Sequence, residues 1–179
     1  MDSWEDKLID NMRSGDKYAF EQCYRQLSPQ IYTAIYKICQ NSDTARELLH
    51  DTFIDVYESI HSYKKQGSFQ GWVKRIAFNN TFNFLKRNKK FVFIEDANVE
   101  EQYIDFNHGD AVHDCRLLDS VLDKCTEVER LILWLFIVEQ YSHEEIAVLA
   151  SKSPSFSKSI VSRTLKRIRL FSEVKKHAY

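Results

Sequence analysis

Residues that interrupt helices are scarce along this chain, which has only four glycines and two prolines among its 179 residues. Glycine and proline are the residues that most disfavour a helix interior. Between them, apolar residues recur at the three- and four-residue spacing of an amphipathic helix. The sequence therefore predicts an all-α protein.

Acidic and basic residues are segregated along the chain, although the formal net charge is only −1. Residues 93–114 contain no Lys or Arg, and helical periodicity is lost there. The acidic residues of this stretch are Glu95, Asp96, Glu100, Glu101, Asp105, Asp110 and Asp114. Such a composition is typical of a linker. We expect two small helical domains, 1–92 and 115–179, joined by an acidic linker at 93–114.

The first domain is predicted to be a bundle of helices with short connections. A first helix covers Trp4 to Met12, and Asp16 caps a second that ends near Leu27. Ser28 followed by Pro29 is typical of a new helix start, so a third helix is expected from there. A fourth begins at Ser42.

The stretch 68–90 predicts a fifth helix that begins with Ser68 as its N-cap and contains no acidic residue. The side predicted to face the core carries Phe69, Trp72, Val73, Ile76, Ala77 and Phe84. The opposite side carries Lys74, Arg75, Phe78, Phe82, Leu85 and Lys86. Exposed rings beside cations would suit single-stranded nucleic acid, because bases stack on aromatic rings while cations contact phosphates. The alternative, given equal weight, is that this second side packs on a neighbouring helix.

The second domain is predicted to end in a helix-turn-helix. Capping boxes are predicted at Thr126 with Glu129 and at Ser142 with Glu145. A helix that is apolar on almost every side lies between them, and a basic helix follows from Ser153-Pro154 to about Phe171. Two short helices followed by a basic third would place the last helix in a DNA major groove.

Several other functions are disfavoured by the sequence. The longest apolar run, 131–138, is too short to span a bilayer, and the acidic start is unlike a signal peptide. No glycine-rich phosphate loop or nucleophile–base pair is present, so neither an enzyme nor a cofactor is expected. His108, His113 and Cys115 lack the spacing of a metal site. The four isolated cysteines are expected to be reduced, buried thiols: Cys23, Cys39, Cys115 and Cys125.

Four short motifs together resemble those of bacterial extracytoplasmic-function (ECF) sigma factors. The segment 15–20, GDKYAF, resembles the opening "GD..AF" of that family, and 45–53, ARELLHDTF, resembles its clamp-binding segment. Gly67-Ser68-Phe69 with Trp72, Ile76-Ala77 and Asn79 resembles the pattern of the helix that melts the minus-ten element. Glu144 to Ala147, EEIA, resembles its promoter-binding fourth domain.

The resemblance implies a cytoplasmic sigma factor that binds core RNA polymerase and directs promoter recognition, melting and transcription initiation. The residues implied to bind the clamp helices of the largest subunit are Glu47, Leu48, His50, Asp51, Phe53 and Asp55. Those implied to bind single-stranded minus-ten DNA are Tyr63, Lys64, Lys65, Ser68, Lys74, Arg75, Phe78, Asn79, Phe82, Asn83 and Lys86. Those implied to bind the upstream duplex are Ser159, Ser162, Arg163, Lys166, Arg167 and Arg169. An anti-sigma partner is implied as well.

The sequence departs from the family pattern at several positions. His50 replaces the usual glutamine, and Asn83 and Lys86 replace the usual aspartate and arginine. The segment after Ala147 predicts a turn several residues longer than usual, which could displace the last helix. Two alternatives therefore stay open: a helix-turn-helix regulator, and a helical protein that docks on polymerase without promoter activity.

Overall fold

The structure is a computed structural model that describes residues 4–88 and 115–176, with the side chains of Trp4, 115–118 and 168–176 not described. Every regular element in these residues is helical, which confirms the all-α prediction. The chain divides into two compact units, Met1–Phe84 and Leu85–Tyr179. The predicted linker at 93–114 lies outside the described residues, and the predicted domain boundaries stay predictions.

The first unit is built from helices joined by short connections. Its elements are α1 (Trp4–Arg13), α2 (Lys17–Cys39), α3 (Ser42–Ser59), a 3-10 turn (Ile60–Ser62) and α4 (Phe69–Arg87), whose last residues belong to the second unit. The Asp16 carboxylate caps α2 by accepting from Tyr18 N, and the Asn41 side chain caps α3. The Ser68 hydroxyl accepts from Gly71 N at 3.0 Å, as expected of an N-cap residue.

The predicted break at Ser28-Pro29 is wrong, because α2 continues through Pro29 without interruption. An interior proline removes one backbone hydrogen bond and costs about 3 kcal/mol. Here the proline ring is exposed, while Cys23 and Ile31 on either side of it are both 1% exposed. Burial of the apolar side of α2 before and after Pro29 outweighs the cost of the missing hydrogen bond.

Packing of α2 against α3 forms much of the core of the first unit. Ile35 and Val56 are fully buried. Nearer the surface, the rings of Phe20 and Tyr57 lie 4.7 Å apart, as do those of Tyr24 and Phe53. These two ring pairs add aromatic contacts between α2 and α3 at the edge of the core.

The second unit contains α5 (Cys115–Leu122), α6 (Glu127–Leu133), α7 (His143–Ala150) and α8 (Pro154–Lys176). Both predicted capping boxes are confirmed, at the starts of α6 and α7. The apolar segment after Thr126 is central to this unit, as predicted, since Leu131 to Leu135 are all buried. Its last part, Trp134–Val138, is a π-helix, which the periodicity of the sequence did not predict.

The predicted long turn before the basic helix is wrong, because only residues 151–153 separate α7 from α8. Ser151 adopts the left-handed conformation that glycine usually occupies, with φ at 54°. Lys152 N then donates to Ala147 O at 3.0 Å, which closes the end of α7. Pro154 stands at the first helical position, where its missing N–H costs nothing. The residues from Pro154 onward belong to α8, and the turn has the short length typical of a helix-turn-helix.

Three of the four cysteines are buried, as predicted: Cys23, Cys39 and Cys125. Burial raises the pKa of the Cys23 thiol to about 12 and that of Cys125 to about 11. Thiols with raised pKa values are weak nucleophiles at neutral pH. The side chain of Cys115 lies outside the described residues.

Candidate nucleic-acid and protein interfaces

The predicted stacking platforms on α4 are wrong, because Phe78 and Phe82 are each only 1% exposed. Leu85, also placed on the outward side by the sequence, is fully buried. The row formed by Phe78, Phe82 and Leu85 is therefore packed, which is the alternative that the sequence had left open. Rings with so little exposure cannot stack on a base without leaving the core.

A different side of α4 is accessible. It is formed by positions that follow one another at helical spacing, and we call it the open face of α4: Trp72, Arg75, Ile76, Asn79, Asn83 and Lys86. Arg75 and Asn83 are exposed, and the other four are partly exposed. Lys74 is not part of this face, because it lies in the row of the buried Phe78 and Leu85.

A cleft of about 340 Å³ lies beside the open face, between α4 and the end of α3. It is lined by Asp55, Glu58, Ser59, Ile76, Asn79 and Asn80. The Asn80 side-chain amide donates to Asp55 Oδ2 at 2.7 Å, which ties the two helices together and orients the Asp55 carboxylate. Amide and carboxylate groups thus meet at one concave site, where they can pair with the polar edge of a small ligand.

The loop from Tyr63 to Ser68 precedes α4, and Tyr63 within it is only 5% exposed. The Tyr63 hydroxyl donates to Gly67 O at 2.8 Å, and its ring lies 5.3 Å from Phe69 and 5.4 Å from Trp72. Burial, with the charges of Glu5 and Asp6, raises the pKa of the Tyr63 phenol. The prediction that Tyr63 contacts DNA is therefore corrected. The buried Tyr63 side chain supports the loop through its contacts with Gly67, Phe69 and Trp72.

The predicted polar residues of the loop lie at its surface. Lys64 and Ser68 are exposed. Lys65 Nζ lies 2.9 Å from Asp6 Oδ1 and 3.7 Å from Asp10 Oδ1. The Lys65 ammonium group is therefore paired with two carboxylates of α1. The hydrogen bond that the Lys65 ammonium group donates to Asp6 raises the Lys65 pKa.

The acidic side of α3 is accessible over most of its length. Glu47 and His50 are exposed, Asp51 is partly exposed, and Leu48 is buried behind them at 1% exposure. Phe53 packs on Tyr24, while Asp55 is turned toward the cleft with α4.

Two apolar residues on α3 were missed by the sequence analysis. Ile54 is 43% exposed and Tyr57 is 59% exposed. Positions 47, 50, 51, 54 and 58 follow one another at helical spacing, and Tyr57 lies one turn beyond Ile54 and two turns beyond His50. This helical spacing was the signal in the sequence that could have identified Ile54 and Tyr57 as surface residues. The α3 surface, defined as Glu47, His50, Asp51, Ile54, Tyr57 and Glu58, thus combines charge with exposed apolar area, as protein interfaces do.

The basic helix α8 presents Ser159, Ser162 and Lys166 along one side, opposite the buried Ile160 and Val161. Ser159 and Ser162 are partly exposed and Lys166 is exposed. Arg163 is partly exposed, and its Nε donates to Ser159 O at 3.3 Å.

The prediction for Arg167 is corrected, because its guanidinium is engaged within the unit. Arg167 Nη2 lies 2.8 Å from Glu129 Oε2 and donates to Lys124 O at 3.3 Å. Burial opposes ionisation of Glu129, but the hydrogen bonds from Arg167 and Thr126 prevail and lower its pKa. Arg167 therefore fixes α8 to the start of α6. The side chain of Arg169 is among those not described.

Within the described residues, no group of three or more His, Cys, Asp and Glu side chains is placed to hold a metal ion. His108 and His113 lie outside these residues. No helix in the described segments is long and apolar enough to cross a bilayer.

Comparison with known proteins relates this geometry to one family. The family model for Sigma-70 region 2 matches residues 23–91, which include α3, the loop and α4. The ECF RNA polymerase sigma factor SigE of Mycolicibacterium smegmatis is 27% identical over 173 residues, covering 87% of this chain and 63% of its own length. The RNA polymerase sigma factor YlaC of Bacillus subtilis is 28% identical over 169 residues, covering 89% of this chain and 91% of its own.

Two solved structures share the fold. One is the sigma factor RpoE in complex with the anti-sigma factor NepR from Bartonella quintana, with a TM-score of 0.55 and 20% identity over 87% of this chain and 97% of that one. The other is CnrH in complex with the cytosolic domain of CnrY, with a TM-score of 0.56 and 17% identity over 95% of this chain and 97% of that one. The sequence matches, the shared fold and the order of the four motifs agree. The chain is therefore similar along most of its length to ECF RNA polymerase sigma factors, and its residues 23–91 match the Sigma-70 region 2 family.

Proposed function

We propose that this protein binds core RNA polymerase and directs it to promoters, where it captures one strand of the opened duplex. The observation that carries the proposal is the open face of α4 beside the cleft, within the segment that matches Sigma-70 region 2. This helix contains no acidic residue, and its accessible side offers cations, amides and one partly exposed indole. Such a surface suits an unpaired strand.

Strand capture is assigned to the open face of α4 together with Lys64 and Ser68. Arg75 and Lys86 would contact phosphates, and Trp72 replaces Phe78 and Phe82 as the ring available for stacking. The cleft would receive an unstacked base, because side-chain amides and carboxylates pair with the polar edges of bases. Asn79 lines both the open face and the cleft, so it is the best candidate for a base contact.

Trp72→Ala is expected to weaken binding to single-stranded promoter DNA by about 1–3 kcal/mol, the usual value of one base–aromatic stack. Fluorescence anisotropy with a fork-shaped oligonucleotide would measure this. Trp72→Phe is the matched control, since it keeps a ring and should retain most of the affinity. Equal affinity for the alanine and phenylalanine variants would contradict the stacking role.

Polymerase binding is assigned to the α3 surface. Acidic residues surround two exposed apolar side chains there, Ile54 and Tyr57, so a basic partner with an apolar centre would be complementary. Leu48 and Phe53 support this surface from behind, and Asp55 belongs to the cleft. We infer that the partner is the pair of clamp helices of the largest polymerase subunit, as the family resemblance implies.

The second unit is assigned to the upstream duplex through α8. Arg163 is the best candidate for a guanine contact, because its planar fork can pair with two acceptors on one base. Arg163→Ala is expected to relax preference at one upstream base pair, whereas Lys166→Ala should weaken all sequences alike. Sequencing promoters transcribed from a library randomised upstream would measure both. An unchanged motif in the Arg163 variant would contradict the base contact.

Three further assignments follow from the resemblance to this family. An anti-sigma protein is the proposed regulator, and the cytoplasm, where polymerase acts, is the proposed location. The protein itself is proposed to have no catalytic activity, because its task is to deliver the polymerase.

Transcription by core polymerase from a random promoter library tests the proposal. Recovery of one common promoter motif only when this protein is present would support it. Polymerase binding without transcription would favour a docking protein, and duplex binding without polymerase would favour a helix-turn-helix regulator.

A further inference from the structure

The loop that precedes α4 is held by α1. The Arg13 guanidinium donates from Nη2 to the carbonyl oxygen of Tyr63, which is the first residue of the loop. Lys65, two residues later, pairs with Asp6 at 2.9 Å and with Asp10 at 3.7 Å. Three side chains of α1 therefore bind two residues of the loop, Tyr63 and Lys65.

The backbone of the loop needs such support. Lys65 has φ at 56° and Gly67 has φ at 85°. The left-handed conformation is unfavourable for a residue with a side chain, so Lys65 adopts it only where contacts hold it there. The loop keeps this shape because Asp6 and Asp10 bind the Lys65 ammonium group while the Tyr63 hydroxyl binds Gly67 O.

The shape of the loop determines where Trp72 lies. The buried Tyr63 ring contacts both Phe69 and Trp72, and the rings of Phe69 and Trp72 lie 5.6 Å apart. A change in the loop at Tyr63 would therefore move the aromatic side chain that the open face of α4 offers to an unpaired base. The contact of Arg13 with Tyr63 therefore links α1 to Trp72 on the open face of α4.

We propose that Asp6, Asp10 and Arg13 are positioning residues that hold the loop Tyr63–Ser68 in the form required for strand capture. This inference rests on the proposed function. It assigns a role in DNA binding to acidic residues, which by charge alone would repel phosphate. Lys65, accordingly, acts by anchoring the loop to α1 and not by contacting DNA itself.

The double variant Asp6→Asn with Asp10→Asn separates positioning from charge. It keeps the buried Leu8, Ile9 and Met12 that attach α1 to the fold. Loss of positioning should weaken binding to a fork-shaped promoter DNA by about two- to fivefold, the range of one exposed ion pair. Removal of two negative charges, acting alone, would instead strengthen binding. Glu5→Gln is the control for charge, because Glu5 lies on the same helix and close enough to influence the Tyr63 pKa.

A second pair of variants identifies the role of Lys65. Lys65→Asp alone should weaken DNA binding, and combining it with Asp6→Lys restores an ion pair with reversed polarity. If Lys65 anchors the loop, the combined variant recovers binding. A combined variant that binds no better than Lys65→Asp overturns the proposal, because Lys65 would then contact DNA directly.

Two measurements are made. Anisotropy of the labelled fork compares DNA binding by the variants in complex with core polymerase. Limited trypsin digestion compares how accessible the loop is in the free proteins. Faster cleavage after Lys64 and Lys65 in the Asp6→Asn, Asp10→Asn variant, together with weaker DNA binding, is the expected result. Unchanged cleavage, or faster cleavage with equal or tighter DNA binding, overturns the positioning role. If the unaltered protein fails to bind the fork, the proposed function fails instead, and the two failures are thereby distinguished.

Discussion

Phe82→Ala is expected to lower the free energy of unfolding by about 3–5 kcal/mol, the usual cost of removing a buried phenylalanine ring. Phe82 is only 1% exposed, so the substitution leaves a cavity in the packed side of α4. Binding to single-stranded DNA, expressed per folded molecule, should change little. Denaturant unfolding followed by circular dichroism measures the first quantity, and anisotropy below the unfolding transition measures the second.

Phe84→Ala is the matched control, because Phe84 lies on the same helix and is partly exposed. It should destabilise the protein by less than Phe82→Ala does. If Phe82→Ala left stability unchanged and removed DNA binding, the burial of Phe82 described here would be contradicted. A stacking role would then return to this ring.

Asp51→Arg is expected to weaken binding to core polymerase by about 2–5 kcal/mol, the cost typical of losing one hydrogen-bonded charge from an interface. The substitution places a cation in the acidic α3 surface, where a basic partner would then be repelled. Because Asp51 is partly exposed, the fold should tolerate the change. Titration of labelled protein with core polymerase would give both dissociation constants.

Glu21→Arg provides the control for charge reversal. Glu21 is exposed on α2, where it pairs with Arg25 at 2.6 Å, and it lies outside the α3 surface. This variant should bind polymerase nearly as well as the unaltered protein. Equal weakening by both variants would mean that net charge, and not the α3 surface, governs the association.

Local signals in the sequence predicted most helix ends correctly. Asp16, Thr126 and Ser142 lie where capping side chains were expected, and each accepts a backbone N–H. Two features between helices were predicted wrongly, the break at Pro29 and the long turn after Ala147. The helix α2 continues through Pro29, and a left-handed Ser151 ends α7 so that only three residues precede α8.

The faces of α4 could not be assigned from periodicity because apolar residues occur around most of this helix. Phe69 lies on the opposite side of the helix from Phe78 and Phe82, yet all three are buried. A sequence shows which residues are apolar but not how many sides of a helix are covered. Partial exposure of Trp72 depends on that coverage, so it became visible only in the structure.

Ion pairs between distant segments were likewise beyond prediction. Arg167 with Glu129 and Lys65 with Asp6 join residues 38 and 59 positions apart, respectively. All four residues are ordinary surface types in the sequence, so nothing there distinguished a cation that is held internally from one that is available for DNA.

The measurement that tests the account most directly is promoter opening by two purified components, core polymerase and this protein, at a promoter recovered from the random library. Permanganate oxidation would detect unpaired thymines in the minus-ten region. We predict reactivity that requires both components, is reduced by Asp51→Arg and Trp72→Ala, and is retained by Trp72→Phe. Reactivity with core polymerase alone, or none with both components despite their stable association, would contradict the proposal that this protein directs promoter melting.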